Sequence, residues 1–168
     1  LRDFVKESTF NVIDHSNLID VSLKNSNILD LYSGIGSFGI ECISRGAKKT
    51  TFVENNTNAL EILEKNIELL KIEKKTKIQK TKIISFLKQP KIDDSYEIIF
   101  FDPPFSENYF LEELKIIKNS NIYKTNHLII IHRDIKSKDN FLNIMNIFMT
   151  KKYGRSKILF GNFKLNTV

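Results

Sequence analysis

Two hydrophobic patterns alternate along the chain: short continuous apolar runs, and longer segments in which apolar residues recur every three or four positions. The first pattern predicts buried strands and the second predicts amphipathic helices. Strands are predicted at 28–31, 50–53, 77–81, 97–101 and 128–131, and helices at 39–45, 57–72, 109–118 and 140–150. Strands that lack polar alternation and are separated by helices favour an α/β fold, in which helices cover both faces of a parallel sheet.

Finer features of the pattern predict how some elements end and pack. Gly46 follows the first helix at the position of a C-terminal cap. The helix at 57–72 places one apolar face on the sheet, formed by Leu60, Leu63, Ile67 and Leu70. At the end of the chain, the apolar segments 156–160 and 163–165 flank Gly161-Asn162, a pair typical of tight turns. This arrangement predicts an antiparallel C-terminal hairpin.

Composition limits the class of protein. The 168 residues, 41% of them hydrophobic, are enough for one domain with a buried core, which we expect to span the whole chain. A single cysteine excludes a disulfide framework and a cysteine-rich zinc site, and no run is long or apolar enough to predict a membrane span or a secretory signal. We therefore expect a cytoplasmic protein without a membrane partner.

The formal net charge of +6 suits a polyanionic partner such as nucleic acid. Lysine outnumbers arginine 22 to 4, however, and asparagine and isoleucine are abundant. An A+T-rich genome produces the same composition, so charge alone leaves a solvated lysine-rich surface as the alternative.

A glycine-rich segment connects the first strand to the first helix. Gly34, Gly36 and Gly39 form a GxGxxG pattern, which permits a tight turn and brings the backbone close to a ligand. This pattern fits a dinucleotide, S-adenosylmethionine or a turn that simply opens a helix.

Two acidic residues separate these alternatives. Glu54 ends the second strand, where its carboxylate can accept hydrogen bonds from two ribose hydroxyls. Asp30 precedes the glycines, where an acid can meet the cationic end of S-adenosylmethionine but would lie unfavourably beside a pyrophosphate. Both favour S-adenosylmethionine. The predicted cofactor-binding residues are Asp30, Tyr32, Ser33, Gly34, Gly36, Glu54 and Asn55.

The tetrapeptide Asp102-Pro103-Pro104-Phe105 follows the apolar strand at 97–101. Its prolines lack N–H donors and leave carbonyls that can face a ligand. Hydrogen bonds from a base amine to the Asp102 carboxylate and a proline carbonyl would reduce conjugation of the amine lone pair, and Phe105 offers a ring for base stacking. We predict all four residues to be catalytic, with the base unpaired or extruded from its stack. A Pro-Pro turn after a buried strand is the alternative.

Other reactive side chains receive simpler interpretations. Cys42, the only thiol, is expected to pack in the core rather than act as a nucleophile. His132, Arg133 and Asp134 end a central strand at the ligand-binding edge and are candidates for contact with the substrate. The three histidines lack metal-ligand spacing, so no metal is predicted.

The tetrapeptide resembles the (Asn/Asp)-Pro-Pro-(Tyr/Phe) motif of methyltransferases that act on adenine N6 or guanine N2. Over nearly its whole length the chain is similar to the bacterial 16S ribosomal RNA guanine-N2 methyltransferase family, the RsmD type. The matching positions are Arg2 to Asn11, Leu29 to Gly34, Glu41, Ser44 to Ala47, Phe52 to Glu54, Asn66, Asp102 to Phe105 and Lys152 to Gly154.

This resemblance implies a Rossmann-like class I methyltransferase: a mostly parallel seven-stranded sheet with an antiparallel C-terminal hairpin. It also implies S-adenosylmethionine as the cofactor and a monomer that methylates guanine N2 in 16S ribosomal RNA, either free or within the assembling 30S subunit. Catalysis would centre on Asp102 to Phe105.

The sequence departs from the family pattern at three places. Lys82 stands where the family usually has an acid that contacts the adenine, and the acid after the fifth strand is replaced near His132. The basic hairpin that the family has before Arg2 is not part of the given sequence, either because it was lost or because the sequence is incomplete at that end. Adenine-N6 methylation of DNA stays open as an alternative because the tetrapeptide serves both chemistries, and Lys82 leaves open an RNA-binding or assembly factor without activity. Nothing in the sequence resembles the catalytic residues of a dehydrogenase.

Overall fold

Strands and helices alternate along the chain, for which the computed structural model describes residues 3–106, 109–120 and 122–164. The strands are β1 (Asn27–Leu31), β2 (Lys49–Glu54), β3 (Thr76–Lys80), β4 (Tyr96–Phe101), β5 (Tyr123–Asp134), β6 (Met145–Tyr153) and β7 (Ser156–Phe163). The helices are α1 (Asp3–His15), α2 (Ser37–Ser44), α3 (Thr57–Leu70), α4 (Ile83–Leu87) and α5 (Phe110–Lys118), with a 3-10 turn at Glu73–Lys75.

The strands form one sheet in the order β3-β2-β1-β4-β5-β7-β6. The first five strands are parallel, and β7 runs antiparallel to both of its neighbours. This arrangement confirms the mostly parallel seven-stranded sheet with a C-terminal antiparallel hairpin. The strand order reverses at β1, so the carboxyl ends of β1, β2 and β4 open on the crevice where α/β folds bind ligands.

Alternating side chains of the central strands face two separate helical layers. In β4, Ile98 and Phe100 pack in a cluster with α1 and α2, whereas Ile99 and Phe101 pack in a cluster with α4 and α5. Cys42 of α2 lies fully buried in the first cluster, as predicted. Helices thus cover both faces of the sheet. Within the described part of the chain, no helix combines the length and apolar character that a membrane span requires.

The helix predicted at 140–150 is wrong, because this region holds the edge strand β6. Phe141, Ile144, Met145 and Phe148 follow a helical spacing, but from Met145 onward the backbone pairs with β7. A register shift between Ile147 and Met149 interrupts the strand alternation, so the apolar residues imitate a helix. Long-range pairing overrides the local periodicity here.

The predicted position of the terminal turn is also wrong. Gly161-Asn162 lies inside the continuous strand β7, and the chain reverses instead at Gly154-Arg155, where Gly154 has a φ of +54°. A Cβ atom at Gly161 would collide with the backbone oxygen of Asn146 on β6. Glycine at this position therefore allows close approach of two strands, not a turn. Leu165, the predicted end of the hairpin, lies outside the described residues.

The remaining helix predictions hold, apart from the end of α3 and two helices that were not predicted. Gly46 follows α2 with a φ of +97°, which confirms the predicted cap. Leu60, Leu63 and Ile67 are buried, but Leu70 is 55% exposed because α3 ends there. Helices α1 and α4 were not predicted. Arg2 of the family resemblance lies outside the described residues.

Candidate active site

A cavity of about 720 Å³ opens at the carboxyl ends of β1, β2 and β4. Five of the predicted site residues line this first cavity: Tyr32, Glu54, Asn55, Asp102 and Pro104. The remaining lining comes from β2 and the turn after it, from the start of α4 and from the α5 region: Val53, Asn56, Thr81, Lys82, Ile83, Ile84, Tyr109, Glu112 and Glu113.

The Glu54 carboxylate ties the glycine loop to the turn after β2. Its Oε2 accepts a hydrogen bond from the Gly34 N–H at 2.8 Å, and its Oε1 accepts from the N–H groups of Asn55 and Asn56, both at 2.8 Å. Gly34 and Gly36 have φ values of +54° and +84°, which only glycine adopts at little cost. The loop is therefore fixed in shape by an acid that also lines the cavity.

Asp30 lies beneath the glycine loop and is almost fully buried. Its Oδ2 accepts a hydrogen bond from the Gly39 N–H at 2.9 Å. Burial raises the pKa of the Asp30 carboxyl well above its usual value; the Gly39 hydrogen bond opposes this shift, and the nearby carboxylates of Asp102 and Glu54 add to it. Asp30, Ser33, Gly34 and Gly36 are not among the lining residues, so the structure places them in or behind the loop wall.

The lining of the first cavity is strongly acidic. Among the described residues it carries the four carboxylates of Glu54, Asp102, Glu112 and Glu113, against the single cation of Lys82. The Tyr32 hydroxyl donates to Oε2 of Glu113 at 2.8 Å, which joins the end of β1 to α5. A cationic ligand fits this electrostatic environment better than a polyphosphate does.

A buried arginine holds the backbone of the Asp102 to Phe105 segment. Arg133 on β5 donates to both carboxylate oxygens of Asp139, at 2.9 and 3.1 Å, and to the Pro104 carbonyl at 3.2 Å. Its guanidinium also stacks over the Phe110 ring at 4.4 Å. Arg133 is only 2% exposed, so it supports the tetrapeptide from inside the fold.

His132 contacts the acid of the same tetrapeptide. Its Nδ1 lies 2.6 Å from Oδ1 of Asp102, and its ring meets the Phe105 ring edge-on with 5.4 Å between centroids. Sequence reasoning considered His132 only as a substrate contact. The register of the strands could have revealed this contact. Phe101 of β4 is in register with Ile131 of β5, so the residues that follow them, Asp102 and His132, come side by side.

A second cavity, of about 620 Å³, is lined in part by His132. It is formed by the first turn of α1, by Phe105 and His132, and by the β6–β7 turn. Its lining residues are Phe4, Val5, Phe105, His132, Tyr153, Gly154, Arg155 and Ser156. Asp102 and Pro104 line the first cavity, so the tetrapeptide has side chains on both cavities. Sequence reasoning missed the part of this cavity that α1 forms, because α1 was not predicted.

Comparison with known proteins agrees with this architecture. The chain matches the family described as Conserved hypothetical protein 95 over residues 1–162. The chain belongs to this family. A Ribosomal RNA small subunit methyltransferase D from Haemophilus influenzae is 32% identical over 133 residues, which are 79% of this chain and 66% of that protein. The protein of the same name from Buchnera aphidicola is 29% identical over 164 residues, 98% of this chain and 79% of its own length.

Members of the family thus carry the RsmD name, which confirms the resemblance found in the sequence. Among solved structures, an RNA methyltransferase from Salinibacter ruber in complex with S-adenosyl-L-homocysteine superposes with a TM-score of 0.70. The match covers 100% of this chain and 97% of that one, at 10% identity. The fold of this chain is therefore that of the class I methyltransferases. In the described residues, no group of three or more metal-binding side chains comes together.

Proposed function

We propose that this protein transfers a methyl group from S-adenosylmethionine to the exocyclic N2 amine of a guanine in 16S ribosomal RNA, in the cytoplasm. The observation that carries the proposal is the position of Asp102 at the boundary of two cavities, with the acidic cavity on one side and His132 and Phe105 on the other. Two relatives are named Ribosomal RNA small subunit methyltransferase D, which supports ribosomal RNA as the substrate.

The first cavity fits S-adenosylmethionine, which supplies an activated methyl group on a positively charged sulfur. Its volume lies within the range of cofactor pockets, and its four carboxylates favour a cationic ligand over a dinucleotide. Oε1 of Glu54 accepts two backbone N–H groups, whereas Oε2 accepts only one and retains acceptor capacity for a ribose hydroxyl. The Ser33 hydroxyl is buried without a hydrogen-bond partner among the described residues, which suits a polar ligand at the loop.

We assign Asp30 an electrostatic role in cofactor binding, without direct contact. Its carboxylate is fixed to Gly39 and does not line the cavity. Burial favours the neutral form of Asp30, but a cation bound above the glycine loop favours the ionised form and is attracted by it. Tyr32, Gly34, Gly36 and Asn55 then shape the cavity wall around the cofactor.

On the base side, the Asp102 carboxylate and one proline carbonyl accept hydrogen bonds from the amine. Pro104 lines the first cavity, and its carbonyl accepts one bond from Arg133 and has a second lone pair, whereas Pro103 is buried and lines neither cavity. We therefore assign the second acceptor to Pro104. Phe105 is 46% exposed and offers its ring for stacking. Methyl transfer then depends on alignment of the amine with the methyl group, without a covalent enzyme intermediate.

Radioactive methyl transfer tests this function. The protein is incubated with tritiated S-adenosylmethionine and, separately, with unmodified 16S RNA, assembled 30S particles and genomic DNA, and the labelled nucleoside is identified. N2-methylguanine in RNA is the expected product, and the better substrate of the first two decides between free RNA and the particle. Label in N6-methyladenine of DNA, or no label in any substrate, would contradict the proposal.

Two variants separate the roles of the acids. Asp102→Asn should lower turnover at least about 100-fold and leave the cofactor dissociation constant within a few-fold, because it disturbs alignment of the amine. Glu54→Ala should instead raise the cofactor dissociation constant. Asp93→Asn, which changes an exposed acid that lines neither cavity, is the matched control and should behave as wild type. Equal losses of turnover and cofactor affinity in Asp102→Asn would place Asp102 in the cofactor site.

A further inference from the structure

The second cavity lies against the proposed transfer site but is built mainly from elements outside it. Among the described residues that line this cavity, only Phe105 and His132 belong to the ends of β4 and β5. Phe4 and Val5 come from α1, and the segment 153–156 comes from the β6–β7 turn. A cavity of about 620 Å³ has room for a nucleotide, not just a base.

Two large aromatic side chains of this cavity face solvent. Phe4 is 72% exposed and Phe105 is 46% exposed. The Phe4 ring also meets the Tyr153 ring edge-on, with 6.1 Å between centroids. Exposed aromatic rings gathered at one cavity are typical of surfaces on which unpaired bases stack.

The outer wall of the cavity is held rigidly. The hydroxyls of Ser8 and Tyr153 lie 2.6 Å apart, which links α1 to the β6–β7 turn. Val5 and Phe10 anchor α1 in the core on the same face of the sheet. Phe4 is therefore presented to solvent from a fixed helix, and the cavity is formed before a ligand binds.

The charges of the two cavities are opposite in sign. The described lining of the second cavity contains no aspartate or glutamate, and Arg155 contributes an exposed guanidinium. Outside the lining, Lys151 and Lys152 on β6 are exposed cations, and Asp3 and Glu7 on α1 are exposed acids. A polyanionic strand is thus favoured at the second cavity and disfavoured at the first, which carries four carboxylates.

We propose that the second cavity binds the extruded guanine nucleotide of the RNA, with Phe4 of α1 as its outer aromatic wall and Arg155 at the adjoining phosphate. This inference rests on the proposed function, because Phe105 and His132 would bring the nucleotide against Asp102. It assigns substrate binding to α1 and to the β6–β7 turn in addition to the tetrapeptide.

The test uses the full chain, saturating S-adenosylhomocysteine and a fluorescein-labelled, unmodified 16S RNA, with binding followed by anisotropy. Phe4→Ala should weaken RNA binding, and raise the KM for RNA, about tenfold. Its cofactor affinity and melting temperature should stay at the wild-type values because the side chain is mostly exposed. Phe4→Tyr should restore binding. Leu69→Ala, which truncates a 79% exposed side chain on α3, is the matched control and should bind as wild type.

Arg155→Gln provides a second, electrostatic readout. Loss of one phosphate contact should reduce the slope of log affinity against log salt by about one. RNA affinity in Phe4→Ala equal to that of Leu69→Ala, together with an unchanged salt slope in Arg155→Gln, would overturn the inference even if wild type methylates guanine. Weakened RNA binding in Phe4→Ala without methyl transfer by wild type would instead support the nucleotide site and reject the proposed reaction.

Discussion

Nδ1 of His132 lies 2.6 Å from Oδ1 of Asp102, across the two central strands that end at the proposed transfer site. The side chains are 12% and 25% exposed, so the contact is partly shielded from water. A hydrogen bond of this length to a carboxylate fixes the orientation of the acid. We infer that His132 is a positioning residue that aims the Asp102 carboxylate at the base amine.

Variants of His132 should affect turnover without affecting the cofactor. His132→Ala removes the donor and should lower kcat about 10- to 100-fold, because misalignment of the acid by a fraction of an ångström is costly. His132→Asn can place an amide N–H near the position of Nδ1 and should restore most of the loss. Single-turnover methylation and calorimetric titration with S-adenosylhomocysteine measure the two quantities. Equal rates for the alanine and asparagine variants would show that this hydrogen bond does not position Asp102.

The buried pair of Arg133 and Asp139 should make a large contribution to stability. Asp139→Ala leaves the Arg133 guanidinium buried without its carboxylate, and should lower the free energy of unfolding by about 3 to 5 kcal/mol. Urea denaturation followed by circular dichroism measures this change. In the double variant Arg133→Met with Asp139→Ala no buried charge is left unpaired, and we expect it to recover part of the stability.

Activity should nevertheless stay low in that double variant. Arg133 also donates to the Pro104 carbonyl, and methionine cannot replace that contact. A double variant that regains both stability and turnover would show that the tetrapeptide holds its shape without Arg133.

The central part of the fold could be predicted because local sequence determines it. The apolar strands 28–31 and 97–101 are buried on both faces, as their lack of polar alternation implied. They lie beside one another in the sheet. The edge of the sheet could not be predicted in this way. Residues 145–153 are half exposed and contain a register shift, so their periodicity carried no clear strand pattern.

The site was predictable to a similar degree. Glu54 and Asp102 each follow a recognisable strand, and the structure brings both to one cavity. Phe4 received no role from the sequence, and His132 was a candidate only for contact with the substrate; the packing of α1 and the register of β5 bring them to the tetrapeptide. Contacts of this kind join residues distant in sequence, and a pattern along the chain does not report them.

Asp30→Asn should raise the stability of the protein and lower its affinity for the cofactor. The raised pKa of Asp30 means that its contribution to stability is complete below the unfolded pKa of about 3.9 and is lost as pH rises through the folded pKa. The amide oxygen can still accept the Gly39 N–H, so the variant should melt a few degrees higher than wild type at neutral pH and equally at pH 3 to 4. Its cofactor dissociation constant should rise about tenfold with loss of the negative charge.

Thermal melts between pH 3 and 8 and cofactor titrations check both parts of this prediction. Asp93→Asn changes an exposed acid and serves as the control, with melting and cofactor binding close to wild type. Unchanged cofactor affinity in Asp30→Asn would exclude the electrostatic role of Asp30.

His127 should make the C-terminal strand sensitive to acid. Its Nε2 accepts a hydrogen bond from the Phe163 N–H at 2.9 Å, and its Nδ1 lies 2.8 Å from the Lys124 carbonyl, so the ring is neutral with the proton on Nδ1. Burial lowers the pKa of His127, although the bonds to backbone carbonyls oppose this shift. Protonation of Nε2 would remove the bond to Phe163.

Because the folded pKa of His127 is lowered, its contribution to stability is complete above the unfolded pKa of about 6.5 and is lost as pH falls through the folded pKa. We expect wild type to lose about 1 kcal/mol from this group on acidification, the net value of one buried hydrogen bond. His127→Gln, which does not titrate, should lack this acid-dependent loss, whereas His15→Gln, at an exposed site on α1, should retain it. Identical acid dependence of the two variants in urea melts from pH 8 to 5 would show that the bond between His127 and Phe163 does not control stability.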